Sequence, residues 1–266
     1  MNDDGHLALF CDFENIALGA RDAKIDKFDI GPILERLLLK GSIVVKKAYC
    51  DWDRYKKFKA GMHEAAFEMI EIPHVKMSGK NSADIRMVVD ALDLCYTKEH
   101  IDTFVIISGD SDFSPLVSKL RENAKTVIGV GVKQSTSDLL ISNCDEFIFF
   151  DDLVASDSPG GAESARKKSK KTARKSRKKT AKKKADPAQE AIDLVIETAE
   201  ALYNERGDQG KMWGSMIKQA LKRRRPGFNE SVYGFDSFSD LLEEAANRKQ
   251  LTIERDEKSG GYIVRV

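Results

Sequence analysis

Residues 103–115 read Thr103-Phe-Val-Ile-Ile-Ser-Gly-Asp-Ser-Asp-Phe-Ser-Pro115. The opening run is β-branched and aromatic, the composition of a strand buried on both faces. Ser108-Gly-Asp-Ser-Asp112 cannot extend that strand, because glycine and short polar side chains favour a tight loop. Ser114 followed by Pro115 then starts a helix, since proline in the first helical turn forfeits no hydrogen bond. Strand, acidic loop and helix in direct succession form the repeating unit of a parallel α/β sheet.

The same grammar extends in both directions. Leu7-Ala-Leu-Phe-Cys11 is another apolar run that ends in an acid, Asp12. Further strands are expected at Ile43–Tyr49, Met69–Ile72, Thr126–Val132 and Phe147–Phe150. Helices are expected at Ile30–Leu39, at Arg54–Phe67 behind an Asp53 cap, and at Ser82–Tyr96 with Ile85, Val88, Val89 and Leu92 on one face. Two more are expected, Ser114–Arg121 and one from Ser135 or Ser137 to Ile141. Strands alternating with helices predict an α/β, doubly wound parallel sheet over residues 1–152.

In such sheets ligands bind beyond the carboxyl ends of the strands. Asp12 and Asp110 each sit just past such an end, and Asp84 falls in the first turn of a helix returning to the sheet. Asp112 shares the Asp110 loop. Clustered carboxylates repel one another, which raises their pKa and calls for a cation. Mg2+ or Mn2+ held by Asp12, Asp84, Asp110 and Asp112 would activate water and stabilise a leaving oxygen, the requirements of phosphodiester hydrolysis. Each acid taken singly also reads as a cap or turn residue. Secondary candidates are Asn15, which orients a ligand or caps a helix, and Asp90, a ligand or the solvated side of its helix. Lys80, a phosphate contact or a solvated loop lysine, and Ser108 in the Asp110 loop complete the set. Asp51 and Asp53 read as caps of the helix that follows them.

Composition narrows the setting. The chain has 266 residues, 41% of them apolar, enough for two modest cores. It contains no apolar stretch of membrane-spanning length, and its start, Met-Asn-Asp-Asp, lacks the basic-then-apolar order of a secretory signal. The four cysteines form no C-x-x-C pair and the four histidines no H-x3-H pattern, so zinc is not expected. Buried thiols in a reducing compartment point to a cytoplasmic protein.

The formal charge of +1 hides an asymmetry. Arg166 to Lys184 holds 13 Lys or Arg in 19 residues and no acid, so the rest of the chain carries −12. Residues 153–186 therefore read as a disordered Lys/Arg-rich linker, too poor in apolar side chains to offset its ordering entropy. It binds polyanions without sequence preference or serves as a spacer. Residues 187–266 form a second, smaller unit. Helices are expected at Ala188–Tyr203, Lys211–Arg223 and Phe238–Arg248. Alternating strands at Leu251–Arg255 and Gly261–Val266 flank a Lys258-Ser-Gly-Gly turn, the pattern of a winged helix. Lys222, Arg223, Arg224 and Arg225 either grip phosphates or complement the negative end of their helix.

Asp12-Phe-Glu-Asn15, Lys80-Asn-Ser-Ala-Asp84 with Asp90 downstream, and Ser108-Gly-Asp-Ser-Asp-Phe113 resemble the NYN domain of the PIN-like nucleases, close to the LabA-like branch. The resemblance spans about residues 6–152. It implies a compact α/β/α fold and metal-dependent ribonuclease activity, with Asp12, Asp84, Asp110 and Asp112 at the acidic positions and Asn15 at the asparagine after the first acid. Gly214-Ser-Met-Ile-Lys-Gln-Ala-Leu-Lys222, Pro226-Gly-Phe228, Tyr233-Gly-Phe235 and Phe238-Ser-Asp-Leu-Leu242 resemble an OST-HTH (LOTUS) domain, which implies RNA binding or docking of a protein partner. The expected function is cleavage of single-stranded or structured RNA, away from membranes. The alternatives are a non-catalytic RNA-binding adaptor or regulator, and a phosphatase of the haloacid dehalogenase type, in which Glu14 would stand where that chemistry wants an aspartate.

Overall fold

The computed structural model describes residues 5–25, 28–72, 82–157, 186–206, 211–256 and 260–265. It divides into two compact units, Met1–Ser158 and Pro159–Val266.

The first unit runs β1 (Gly5–Asp12), α1 (Phe13–Asp22), α2 (Gly31–Leu38), β2 (Gly41–Cys50), α3 (Lys59–Glu64), β3 (Glu68–Glu71), α4 (Ser82–Thr97), β4 (Thr103–Ile107), α5 (Ser114–Glu122), β5 (Thr126–Gly131), α6 (Asp138–Asn143), β6 (Glu146–Phe149) and α7 (Phe150–Asp157). The six strands form one parallel sheet in the order β3-β2-β1-β4-β5-β6. Its strand order reverses between β1 and β4, where Cys11 pairs with Ile107. That junction is where a doubly wound sheet opens a crevice.

Alternation along β1 feeds two cores. Leu7, Leu9 and Cys11 pack with Ile16, Ile33 and Phe150 from α1, α2 and α7. Ala8 and Phe10 pack on the other face with Met87, Val117 and Leu140 from α4, α5 and α6. Burial on both faces explains why these strands read as unbroken apolar runs. The four cysteines are buried, unpaired thiols.

Local differences from the sequence expectations have physical causes. Helix α1 has no range in the sequence reading, which offered only Asn15 as a cap, because most of its buried face is small: Ala17, Gly19 and Ala20 beside Phe13 and Ile16; its cap is Asp12. The helix expected over Arg54–Phe67 is a 3₁₀ turn, Lys56–Phe58, followed by the short α3. Neither Asp51 nor Asp53 caps it. Asp51 accepts the Asp53 N–H at 3.2 Å, and Tyr55 at the cap makes no side-chain cap bond. Helix α4 buries Met87, Ala91 and Cys95, whereas Ile85 and Val89 are 62% and 55% exposed. Its sequence carries two apolar stripes, and only the neighbouring strands select between them. Ser137, not Ser135, caps α6 by accepting the Leu139 N–H at 3.2 Å. Helix α7 continues past 152 because Leu153 and Val154 pack on the core.

The second unit contains α8 (Pro187–Arg206), α9 (Gly214–Arg224), α10 (Phe238–Asn247) and an antiparallel pair, β7 (Thr252–Arg255) and β8 (Tyr262–Arg265). Ile192, Val195, Ile217, Leu221, Leu241, Leu242 and Val264 form its core. Helix α9 starts at Gly214 rather than Lys211 because the preceding residues are extended. Trp213 bridges Ile263, and Met212 O accepts the Val264 N–H at 2.8 Å. The Lys258 turn and the expected linker disorder fall largely or wholly outside the described residues. Among the described residues, no helix is long and apolar enough to cross a membrane.

Candidate active site

Asp12 ends β1 at the junction where the strand order reverses. Its carboxylate also caps α1, accepting the Asn15 N–H at 3.3 Å. The Ser108 hydroxyl, just past β4, donates to its other oxygen at 3.0 Å. Burial first, then the charge of Asp84 and that of Asp110, push the Asp12 carboxyl up to about 7, against the pull of both hydrogen bonds.

The loop after β4 is locked to this acid. The Asn15 side-chain oxygen accepts the Gly109 N–H at 2.8 Å, and Ser108 Oγ accepts the Asp110 N–H at 3.2 Å. Asp110 caps the next turn by accepting the Asp112 N–H at 3.0 Å. Gly109 is held against the β5–α6 connection, so a Cβ there would lie 2.5 Å from Ser135 O. Its own carbonyl accepts the Ser137 N–H at 2.9 Å.

Asp84 joins from the first turn of α4. Burial raises its carboxyl, and so do the charges of Asp110, Asp112 and Glu14. Asp12, Asp84, Asp110 and Asp112 therefore share one electrostatic neighbourhood, brought together from β1, α4 and the loop after β4. Among the described residues, no three His, Cys, Asp or Glu side chains stand as a ready-made ligand set. The acids are neighbours in charge rather than a closed coordination shell. Their chemistry fits a hard divalent cation, which takes carboxylate oxygens and would offset both the burial and the mutual repulsion that raise Asp12.

The other candidates separate clearly. Asn15 and Ser108 are part of the cluster as positioning groups. Asp90 is not: it accepts from Tyr49 Oη at 2.8 Å and Arg86 Nε at 3.0 Å, with Lys47 Nζ at 3.6 Å. It lies almost two helical turns from Asp84 and ties α4 to β2. Lys80 lies outside the described residues. In the second unit Arg223, Arg224 and Arg225 are exposed at the end of α9, and Arg224 pairs with Glu197 of α8.

Glu14 has a larger part than its sequence context suggested. It lies in the first turn of α1, acts on Asp84, and pairs with Arg54 at 3.2 Å. The signal was the Asp12-x-Glu spacing at a helix start, which becomes visible only once α1 is recognised.

Residues 6–153 match the NYN domain model. The chain belongs to the NYN domain family. NYN domains are part of the PIN-like nuclease superfamily, whose members generally use divalent metal ions. This membership sets aside the phosphatase reading. The NYN chain is 29% identical over 120 residues to an uncharacterized protein of Methanocaldococcus jannaschii, a match covering 45% of this chain and 47% of the relative. It thus spans about half the length of that curated relative. A crystal structure of a protein of unknown function from Vibrio parahaemolyticus matches with a TM-score of 0.51 and 26% identity. That match covers 57% of this chain and 97% of the other.

Proposed function

We propose that this NYN protein is a metal-dependent ribonuclease. Residues 1–152 would form the nuclease domain, residues 153–186 a basic linker, and residues 187–266 an RNA-binding domain of the OST-HTH (LOTUS) type. Within the NYN family it would stand near the LabA-like branch and act in the cytoplasm. The observation that carries the reading is the convergence of Asp12, Asp84, Asp110 and Asp112 at the strand-order reversal, with Asp12 driven up to about 7 by burial and its acidic neighbours. Carboxylates gathered at such a cost to their own ionisation are characteristic of a functional site.

In this reading Asp12, Asp84 and Asp110 hold Mg2+ or Mn2+, and Asp112 holds a second ion or orients water. The bound metal would generate hydroxide and neutralise charge on the leaving oxygen. Ser108 and the Asn15 backbone hold Asp12 in place through its two oxygens. Asn15, through Gly109, keeps the Asp110 loop in register with β1. The basic run between 166 and 184, together with Lys222, Arg223, Arg224 and Arg225, would hold the RNA backbone electrostatically.

The test is cleavage of labelled single-stranded and hairpin RNA with Mn2+, with Mg2+ and with chelator, by wild type and by Asp110→Asn. The expected result is metal-dependent cutting that the substitution abolishes while RNA binding persists. Equal cutting by Asp110→Asn overturns the site. Binding without metal-dependent cutting across varied RNAs assigns the protein instead as an RNA-binding adaptor.

A further inference from the structure

We propose that Arg54-Tyr-Lys-Lys-Phe-Lys59, the segment after β2, is a docking ridge for the phosphate backbone of single-stranded RNA entering the acidic site. Naming RNA as the ligand rests on the nuclease reading above. The surface itself rests on charge, exposure and position.

The segment places four cations and no acid in six residues. Arg54, Lys56 and Lys57 are exposed, and Lys59 is half-buried. Strand β2 lies beside β1, with Tyr49 paired to Asp12, so the chain leaving β2 emerges at the same end of the sheet as the acids. Arg54 reaches that site directly: Nη1 lies 3.2 Å from Glu14 Oε1, and Glu14 acts on Asp84.

The ridge is fixed relative to Asp12 by aromatic packing. Phe13, the next residue after Asp12, meets Trp52 at 4.9 Å, Tyr55 at 5.7 Å and Phe58 at 5.2 Å between ring centroids. Trp52 is 1% exposed, and its indole N–H donates to Ile70 O at 3.2 Å. The aromatic side chains of the ridge thus face inward while its charges face out. With Tyr55 and Phe58 engaged in packing, the ridge would recognise phosphates rather than stack bases, and it would not discriminate sequence.

Its charges are available. Arg54 with Glu14 and Lys56 with Asp53, 3.4 Å apart, are exposed pairs, which contribute little in water and yield readily to a polyanion. Lys57 lies over the Phe58 ring at 4.8 Å, which orients its ammonium without neutralising it. An acidic site repels an approaching nucleic acid. A basic rim on the same end of the sheet offsets that repulsion and raises the local substrate concentration.

The experiment uses the full chain with Asp110→Asn, to prevent cutting, and with glutamine at the basic positions between 166 and 184, so that this run does not mask the ridge. Binding of a labelled RNA of roughly ten nucleotides is followed by anisotropy from about 50 to about 200 mM salt, with and without Arg54→Gln, Lys56→Gln and Lys57→Gln together. The expected result is an affinity about tenfold lower and a log–log salt slope shallower by about 2, the share of three single-strand phosphate contacts. In a cutting-competent chain with the same glutamines between 166 and 184, Lys56→Gln with Lys57→Gln should raise KM by about fivefold and leave kcat nearly unchanged. Affinity and slope equal to those of the parent, with an unchanged melting temperature, overturn the ridge. The two readings fail separately. A wild type that cuts no RNA, with the slope change intact, removes the nuclease and keeps the ridge. A cutting wild type with no slope change does the reverse.

Discussion

The Ser108 hydroxyl donates to Asp12 Oδ2 across 3.0 Å while accepting the Asp110 N–H at 3.2 Å. One fully buried serine thus couples an acid on β1 to an acid beyond β4. Its bond to Asp12 favours the charged carboxylate against burial and acidic neighbours. Ser108→Ala should raise the Asp12 carboxyl further and leave a backbone donor unsatisfied. RNA cleavage at neutral pH should fall by roughly tenfold or more, and the rising limb of the pH–rate profile should move to higher pH, as expected for a metal ligand made harder to ionise. A profile superimposable on wild type would show that Ser108 does not tune Asp12.

Asp12→Asn should stabilise the metal-free protein. The Asp12 pKa is raised from 3.8 to about 7 on folding, so between those values the native state holds a proton that the unfolded chain has lost. Stability from this group is therefore present at pH below 3.8, declines as pH rises through 7, and is flat above. Asparagine removes the decline. In chelator at pH 8 the variant should melt up to about 10 °C above wild type, since a carboxyl moved from 3.8 to about 7 corresponds to about 4 kcal/mol, and near pH 4 the two should coincide. Lower melting of the variant at pH 8 would contradict the electrostatic origin of the shift.

Gly109→Ala should be costly although the position needs no positive φ. Its Cβ would lie 2.5 Å from Ser135 O and 3.0 Å from Thr136 Cα, both backbone atoms. The loop must shift, and with it the N–H held by Asn15. The expected loss is about 1–3 kcal/mol, read from the urea midpoint, together with loss of metal-dependent cleavage. A midpoint equal to wild type would mean that the connection to α6 yields freely.

Ser114→Ala should be neutral or stabilising. Ser114 starts α5, is 5% exposed, and its hydroxyl has no hydrogen-bond partner among the described residues. Removing an unsatisfied buried donor is expected to gain up to about 1 kcal/mol. Destabilisation in the urea titration by more than about that amount would reveal a bond this hydroxyl makes in solution.

Much of the candidate site was legible because most of its acids follow the ends of strands. An apolar run such as Thr103–Ile107 can stop only where the chain leaves the sheet, and a polar residue at that point marks the ligand-binding end. Asp12, Asp110 and Asp112 were visible on that ground, and Asp84 from its place at a helix start. Glu14 and Arg54 were not. Glu14 was seen only as a departure from another chemistry, and Arg54 read as the start of a helix that forms only in part. Asp90, read as either a ligand or the solvated side of its helix, is held by Tyr49 and Arg86. The buried stripe of α4 was half misread: Val88 and Leu92 pack on the core, whereas Ile85 and Val89, equally apolar, face outward.

By itself the sequence determined the alternation of strands and helices, the two-faced burial of the sheet, and the acids at its carboxyl end. These follow from local composition and period, which do not depend on which strand lies next to which. Only the tertiary structure decided that β1 lies beside β4, that Asn15 reaches Gly109 across 94 positions, and that Ser108 reaches Asp12 across 96. Such contacts depend on strand order and on charges brought close through space, and no spacing along the chain encodes them.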